Sequence, residues 1–299
     1  MIYTVTFNPA LDYVMNLKQL QYKDINRTES EQLYYGGKGI NVSVILSRLK
    51  VDNIALGFLA GFSGKKIEEM LNAENIKNDF VYLKKGYTRI NVKIKADEDY
   101  DINAQGPNIE LDELNALFDK FEKLKSGDFL ILAGSIPNSL PDDIYEEILA
   151  KLQNKGINFA VDATGDLLLN VLKYKPFLIK PNHHELGDVF GVEVKTEKEI
   201  AYYAKKLQEM GARNVLVSRS KDGATLIDEF GEVHSMGNVL NPVGCGDSMV
   251  AGFVAGYSKT HDYKYALKLG SACGNATAFC PGLADKDTID KMLESEYLK

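Results

Sequence analysis

A chain of 299 residues is long enough for one large core with a small appendage or for two modest domains. Hydrophobic residues at 45% and charged residues at 26% describe an ordinary globular protein. The 42 acidic and 35 basic side chains leave a formal charge of -7, which disfavours nonspecific nucleic-acid binding and leaves room only for a local basic pocket.

The N-terminus enters Ile2-Tyr3-Thr4-Val5-Thr6-Phe7, a buried-strand pattern, without a basic leader. Together with three cysteines lacking metal-site spacing and no apolar run of transmembrane length, this predicts a cytoplasmic protein with no membrane partner. Asn8-Pro9-Ala10 ends the first strand and leaves Asp12 just beyond it. Segments 12–17 and 27–35 read as short exposed strands. Gly36-Gly37-Lys38-Gly39-Ile40-Asn41 then allows a close backbone approach to a ligand, and Ile40, Val44, Ile45 and Leu49 fit one face of a helix. Lys38 there either meets an anion or decorates a flexible turn.

Residues 54–59 form another apolar strand, followed by Gly61-Phe62-Ser63-Gly64 and a helix carrying Ile67, Met70 and Leu71. Residues 88–96 alternate, so Arg89, Asn91 and Lys93 share a face opposite Ile90, Val92 and Ile94. That face is either simply solvated or phosphate-binding, since arginine offers paired donors and lysine a mobile charge. Leu111, Leu114, Leu117, Phe118, Phe121 and Leu124 then give a helical core stripe, and Phe129–Ala133 a buried strand. Strand and helix patterns continue to alternate, with strands at 157–161, 177–179 and 214–218 and antiparallel edge strands at 224–228 and 233–236.

This alternation calls for an α/β fold with a mainly parallel sheet covered on both faces. Ligands in such folds sit outside the carboxyl ends of the strands, which nominates Asp12, Ser135, Asp162, Asn182, Ser218 and Asp247 for one cleft. The stretch Asn241-Pro242-Val243-Gly244-Cys245-Gly246-Asp247-Ser248 is the focus. Two glycines around Cys245 bend the chain into a helix N-terminus, where unpaired N–H groups attract phosphate and Asp247 faces whatever they hold. The alternative is that the glycines shape a loop and Asp247 caps the helix. No Walker A pattern and no suitably placed GxGxxG occurs. The four histidines form no zinc pattern, and adjacent His183 and His184 would point to different sides of a regular element.

Six ordered motifs, Asn8-Pro9-Ala10-x-Asp12, Gly36–Val42, Thr88–Lys93, Ala133-Gly134-Ser135-Ile136-Pro137, Lys180-Pro181-Asn182-His183-His184-Glu185-Leu186 and Val243–Ser248, resemble the ribokinase-like (PfkB) sugar kinases. Within them the chain is most similar to the bacterial 1-phosphofructokinase and tagatose-6-phosphate kinase branch, and the likeness covers essentially its whole length. The resemblance implies a three-layer sandwich, a single kinase domain over 1–299 with a β-sheet lid from about 11–35 and 86–105, and a homodimer formed through the lids. It implies ATP and Mg2+ as cofactors and a phosphorylated ketohexose as substrate.

Position by position, the resemblance makes Asp247 the catalytic base, with Gly244, Cys245 and Gly246 supplying the amides around the transferred phosphate. Asp12, Gly37, Lys38, Asn41, Arg89 and Asn91 would bind the substrate, Lys38 and Arg89 taking the phosphate it already carries. Lys180, Asn182, Ser218, Gly223, Gly244, Gly246, Gly274 and Asn275 would border ATP, and Asn182 and Glu185 would organise the metal through water. Cys245 stands where the family commonly has Ala or Ser, so kinase activity is expected to survive with some sensitivity to thiol reagents. Arg219 stands where a smaller apolar residue is usual, its charge near the ATP phosphates.

Overall fold

The computed structural model describes residues 1–219, 222–237 and 245–295. The chain runs β1 (Ile2–Thr6), β2 (Ala10–Asn16), β3 (Ser30–Gly36), α1 (Lys38–Arg48), β4 (Asn53–Leu59), α2 (Gly61–Ala73), β5 (Val81–Tyr82), β6 (Arg89–Lys95) and β7 (Asp99–Ile102). Next come α3 (Leu111–Phe121), β8 (Phe129–Ala133), α4 (Ile144–Leu152), β9 (Asn158–Asp162), α5 (Gly165–Val171), β10 (Leu178–Ile179), α6 (His183–Phe190), α7 (Glu197–Glu209) and β11 (Asn214–Ser218). β12 (Ala224–Ile227), β13 (Val233–Met236), α8 (Cys245–Thr260), α9 (Tyr263–Ala278) and α10 (Lys286–Glu294) complete it.

Nine of these strands join in the order β13-β12-β11-β10-β9-β8-β1-β4-β5. All neighbours pair in parallel except at β11–β12–β13, which run antiparallel. The reason is visible in β8. Leu130 and Leu132 enter the core on one face with α3, α4 and α7, while Phe129, Ile131 and Ala133 enter the core on the other with α1, α8 and α9. A strand covered by helices on both faces has no polar side, so a continuous apolar run is the sequence that suits it. The expected α/β three-layer sandwich is the fold observed.

A second sheet has the order β3-β2-β6-β7. Its register sets Asp12 beside Asn91 and Val14 beside Lys93 on one face. The other face carries Leu33, Tyr13, Val92 and Ile102 in one row across all four strands. At the root of that apolar face, Leu11 and Ile90 pack into a small core with α1 and α2. The sheet is thus anchored at one end, and its polar face is the one that carries Asp12.

Three local readings change. Gly61–Gly64 is the first turn of α2, not a loop before it. Leu111 is 73% exposed, whereas Leu114, Leu117 and Phe121 are buried. It follows the Glu110 cap and lies roughly 90° around the helix from their shared direction at about 100° per residue. His183 and His184 sit in the first turn of α6 with ring centroids 3.9 Å apart, so the two rings face each other after all. Among the described residues no helix is long and apolar enough to cross a membrane.

Candidate active site

Asp247 lies in the first turn of α8 and is buried, 7% exposed. Its Oδ2 accepts a hydrogen bond from Asn41 Nδ2 at 2.8 Å. Asn41 reaches it because α1 starts at the neighbouring glycine-rich turn. Gly37 caps that helix at φ 121°, a conformation that L side chains rarely adopt, and a Cβ there would fall 2.7 Å from Thr6 Cγ2. The glycine therefore lets α1 begin close against the end of β1.

Below Asp247 stands a second buried carboxylate, Asp162, the last residue of β9. Lys38 Nζ lies 3.3 Å from its Oδ2 and Lys180 Nζ 3.4 Å from its Oδ1. Lys180 is itself buried, and a Cβ on Gly246 would lie only 3.1 Å from its ammonium. Two lysines from separate motifs are thus gathered on one acid beneath the start of α8. Burial pushes Asp247 up to about 6, the nearby Asp162 charge adding to it against Asn41, Lys38 and Lys180. Burial acts on Asp162 in the same sense, but Lys180 and Lys38 outweigh it and hold that carboxyl below the usual range. Lys38 is raised because Asp162 and Asp247 outweigh its own desolvation. The result is a carboxylate ionised at neutral pH but readily protonated, next to two cations and a helix N-terminus.

Asn182 and Glu185 form a reciprocal cap on α6. Asn182 Oδ1 accepts from Glu185 N at 2.9 Å and Glu185 Oε2 accepts from Asn182 N at 2.8 Å. Asn182 bridges to Ser218 at the end of β11, so these two expected site residues are neighbours at adjacent strand ends. Gly223 lies in the turn leading to β12, and its carbonyl accepts from Arg219 N. Arg219 Nη2 donates to Met236 O at 3.4 Å. Gly274 and Asn275 are buried in α9, where a Cβ on Gly274 would sit 3.3 Å from Cys245 O. Gly244 lies outside the described residues.

On the second sheet Asp12 Oδ1 accepts from Asn91 Nδ2 at 2.8 Å, and Lys93 Nζ lies 3.2 Å from Asp12 Oδ2. Arg89 is turned to the backbone: Nε donates to Asn8 O at 3.1 Å and Nη1 to Ala104 O at 3.4 Å. Burial pulls its guanidinium below the usual value against the Asp12 charge.

Asp162 and Lys93 join these clusters although neither has a place in the position-by-position expectation. Asp162 was nominated by its strand end alone, although one acid among cleft motifs carrying two lysines was a usable signal. Lys93 was placed on the right face but not paired with Asp12. The surroundings of Cys245 weigh against the expected sensitivity to thiol reagents: it is 5% exposed, and burial, with the Asp247 charge, pushes its thiol up to about 11, away from the thiolate. Among the described residues, the group with metal-ligand spacing is Asp228, Glu232 and His234, away from these motifs. There Asp228 Oδ1 accepts from Phe230 N and Glu232 N and its Oδ2 meets His234 Nε2 at 2.8 Å, which pins the β12–β13 turn.

Residues 5–290 match the model of the pfkB family carbohydrate kinases. The chain is 43% identical over 297 residues to the 1-phosphofructokinase of Bacillus subtilis, covering 98% of this chain and 97% of that one. It is 37% identical over 295 residues to the D-tagatose-1-phosphate kinase of Bacillus licheniformis, covering 97% of each. The fold is similar to phosphofructokinase-2 from Escherichia coli in complex with fructose-6-phosphate, with a TM-score of 0.90 at 26% identity over 98% of this chain and 97% of that one. A family match over residues 5–290 and 43% identity across nearly the whole length of a relative leave one conclusion: the chain belongs to the pfkB family of carbohydrate kinases.

Proposed function

We propose that this kinase transfers the γ-phosphoryl group of ATP to the C6 hydroxyl of D-fructose 1-phosphate, giving fructose 1,6-bisphosphate and ADP. The coarser activity, ATP-dependent phosphorylation of a ketose phosphate, is that of a pfkB-type kinase. The observation that carries the mechanism is Asp247 itself, a buried carboxylate in the first turn of α8, raised to about 6 and held by Asn41.

Asp247 orients the C6 hydroxyl and accepts its proton as the oxygen bonds to the γ-phosphorus. The bond from that phosphorus to the bridging oxygen breaks, and its electron pair leaves with ADP. Because transfer is loose, the proton leaves late and a base near 6 suffices. The α8 amides beside Gly246 and the ammonium of Lys180 face the charge on the transferred group. Asp12, Gly37, Lys38, Asn41, Arg89 and Asn91 hold the sugar phosphate. Lys180, Ser218, Gly223, Gly246, Gly274 and Asn275 border the nucleotide. The four-stranded sheet is the lid over them and excludes water.

The residues fit ATP and magnesium. The narrow space between Gly246 and buried Lys180 excludes a side chain, which leaves the backbone amides open to phosphate oxygens. Asn182 and Glu185 spend one oxygen each on their mutual cap, so they suit a cation held through its water shell, and Mg2+ gives up its waters reluctantly. Magnesium, when bound, neutralises the polyphosphate charge. A homodimer through the lid is supported by Leu33, Tyr100 and Ile102, which are 42%, 41% and 60% exposed on its apolar face.

A second reading rests on the 37% identity to a D-tagatose-1-phosphate kinase. That sugar differs from fructose 1-phosphate only in configuration at C4. Tagatose 6-phosphate, the third candidate, presents its phosphate at the opposite end. A silent sugar-phosphate sensor is disfavoured by the intact Asp247 and Asn182/Glu185 pair. The test is ATP-dependent turnover on all three ketose phosphates, with the phosphorylated position read by 31P NMR. Highest kcat/KM on fructose 1-phosphate with product labelled at C6 is expected. Preference for either tagatose phosphate, or binding without ATP consumption, overturns the proposal.

A further inference from the structure

Lys93 sits two residues beyond Asn91 on the polar face of the lid. Its direct neighbour across the β6–β7 ladder is Asp101, an exposed carboxylate with which a surface lysine would ordinarily pair. Its ammonium instead reaches diagonally toward the root of the sheet and lies 3.2 Å from Asp12 Oδ2. Asp12 stands beside Asn91 in the ladder, one step closer to the glycine turn that starts α1. The lysine thus points inward along the face that carries Asp12.

Asp12 has one partner on each oxygen in this state, Asn91 on Oδ1 and Lys93 on Oδ2. A sugar hydroxyl that donates to Oδ2 competes with Lys93 for that oxygen. Its side chain is 32% exposed, so it has room to move. Arg89, on the same face, spends Nε and Nη1 on the backbone carbonyls of Asn8 and Ala104 and is fixed. The face therefore holds one tied cation and one exchangeable cation around a single acid.

We infer that Lys93 is a specificity-determining residue: the incoming sugar releases its ammonium from Asp12, and the ammonium then takes the phosphate which that sugar already carries. This rests on the ketose-phosphate reading given above. With the receiving hydroxyl at Asp247, the existing phosphate lies at the far end of the sugar, under the lid. A flexible four-carbon stem carrying a compact charge suits that exchange. An unphosphorylated ketose frees the same ammonium without giving it a partner, so Lys93 selects for the phosphorylated form.

The test uses the full chain carrying Lys93→Met or Lys93→Arg, with thermal unfolding checked first. On whichever ketose phosphate the wild-type enzyme uses best, Lys93→Met raises KM about tenfold to a hundredfold, the loss of one charge-assisted contact. Its kcat and its KM for ATP stay near the wild-type values, and Lys93→Arg recovers much of the loss. The unphosphorylated ketose, measured by its Ki as a competitive inhibitor, binds Lys93→Arg as it binds the wild type and binds Lys93→Met no more weakly, because it no longer has to displace an ammonium from Asp12. An equal loss on phosphorylated and unphosphorylated sugars overturns the inference, because Lys93 would then act only through Asp12, and so does an unchanged KM. A wild-type preference for a ketose phosphate other than fructose 1-phosphate sinks the proposed substrate, yet leaves the Lys93 ratio to be judged on the sugar preferred.

Discussion

Asp162 on the nine-stranded sheet and Asp12 on the four-stranded sheet each hold lysine ammoniums, at 3.3 and 3.4 Å for the first and 3.2 Å for the second. Their surroundings differ. Asp162 is 3% exposed and its partner Lys180 7%, whereas Asp12 is 16% and Lys93 32% exposed. Charges as buried as Asp162 and Lys180 cannot be left unpaired, so that pair is set during folding and stays set, whereas Lys38, the second partner of Asp162, is 43% exposed and free to move. The Asp12 pair is close enough to solvent to exchange one partner for another. The difference teaches how labour is divided in the proposed mechanism: the central sheet would supply a preorganised reacting end, and the four-stranded sheet contacts that a ligand replaces.

The largest effect is expected from removing the proposed base, Asp247, on the rigid side. Asp247→Asn keeps the shape and loses the proton acceptor, and kcat is expected to fall about 10²- to 10⁴-fold while the KM for sugar changes little. Near-normal turnover in that variant would mean that proton transfer does not depend on Asp247. The contrast between the two sheets is then tested by stability. Asp162→Asn leaves buried Lys180 without its countercharge and costs about 3–5 kcal/mol. Asp12→Asn, at the better solvated pair, costs about 1 kcal/mol or less. Urea unfolding of both variants checks this, and equal losses would abolish the distinction between a fixed and an exchangeable pair.

Much of this was legible beforehand, for reasons that differ from place to place. Phe129–Ala133 and Asn214–Ser218 read as strands because strands buried on both faces carry unbroken apolar runs. The shared polar face of Arg89, Asn91 and Lys93 was visible in their alternation. The strand-end rule nominated Asp162, Asn182, Ser218 and Asp247 together. Pairing was not legible. Nothing in the order of residues says that Lys38 and Lys180, 142 positions apart by number, converge on Asp162, or that Lys93 passes over Asp101 for Asp12. Those choices depend on register and on the packing of α1 against β1, β4 and β8, which only the folded chain sets. The exposure of Leu111 was missed for a similar reason, since the Glu110 cap fixes where α3 begins.

A pH series sharpens the account of the rigid side. Asp247 is raised to about 6 from an ordinary 3.8, so the folded state binds its proton more tightly than the unfolded chain. That contribution is stabilising at low pH and is lost as pH rises through about 6. Asp247→Asn removes the buried charge. It should therefore gain stability relative to the wild type as pH goes from 4 to 7, by up to about 3 kcal/mol. The wild-type kcat/KM should fall as pH drops through about 6, because the free enzyme's base is then protonated. A stability difference independent of pH would show that Asp247 is not charged in the way described.

The smallest effect concerns Cys245, next door to the base and yet expected to be silent. Its thiol is 5% exposed and pushed up to about 11, first by burial and then by the Asp247 charge. At pH 7.5 roughly one molecule in a few thousand carries the thiolate, the form that reacts. Cys280 is half-buried and offers the better target. Iodoacetamide should therefore label Cys280 before Cys245, with activity retained while Cys245 stays unlabelled by mass spectrometry. Loss of activity that tracks Cys245 labelling would mean the start of α8 opens to solvent. The fixed charge cluster beneath it would then be as exchangeable as the pair on the lid.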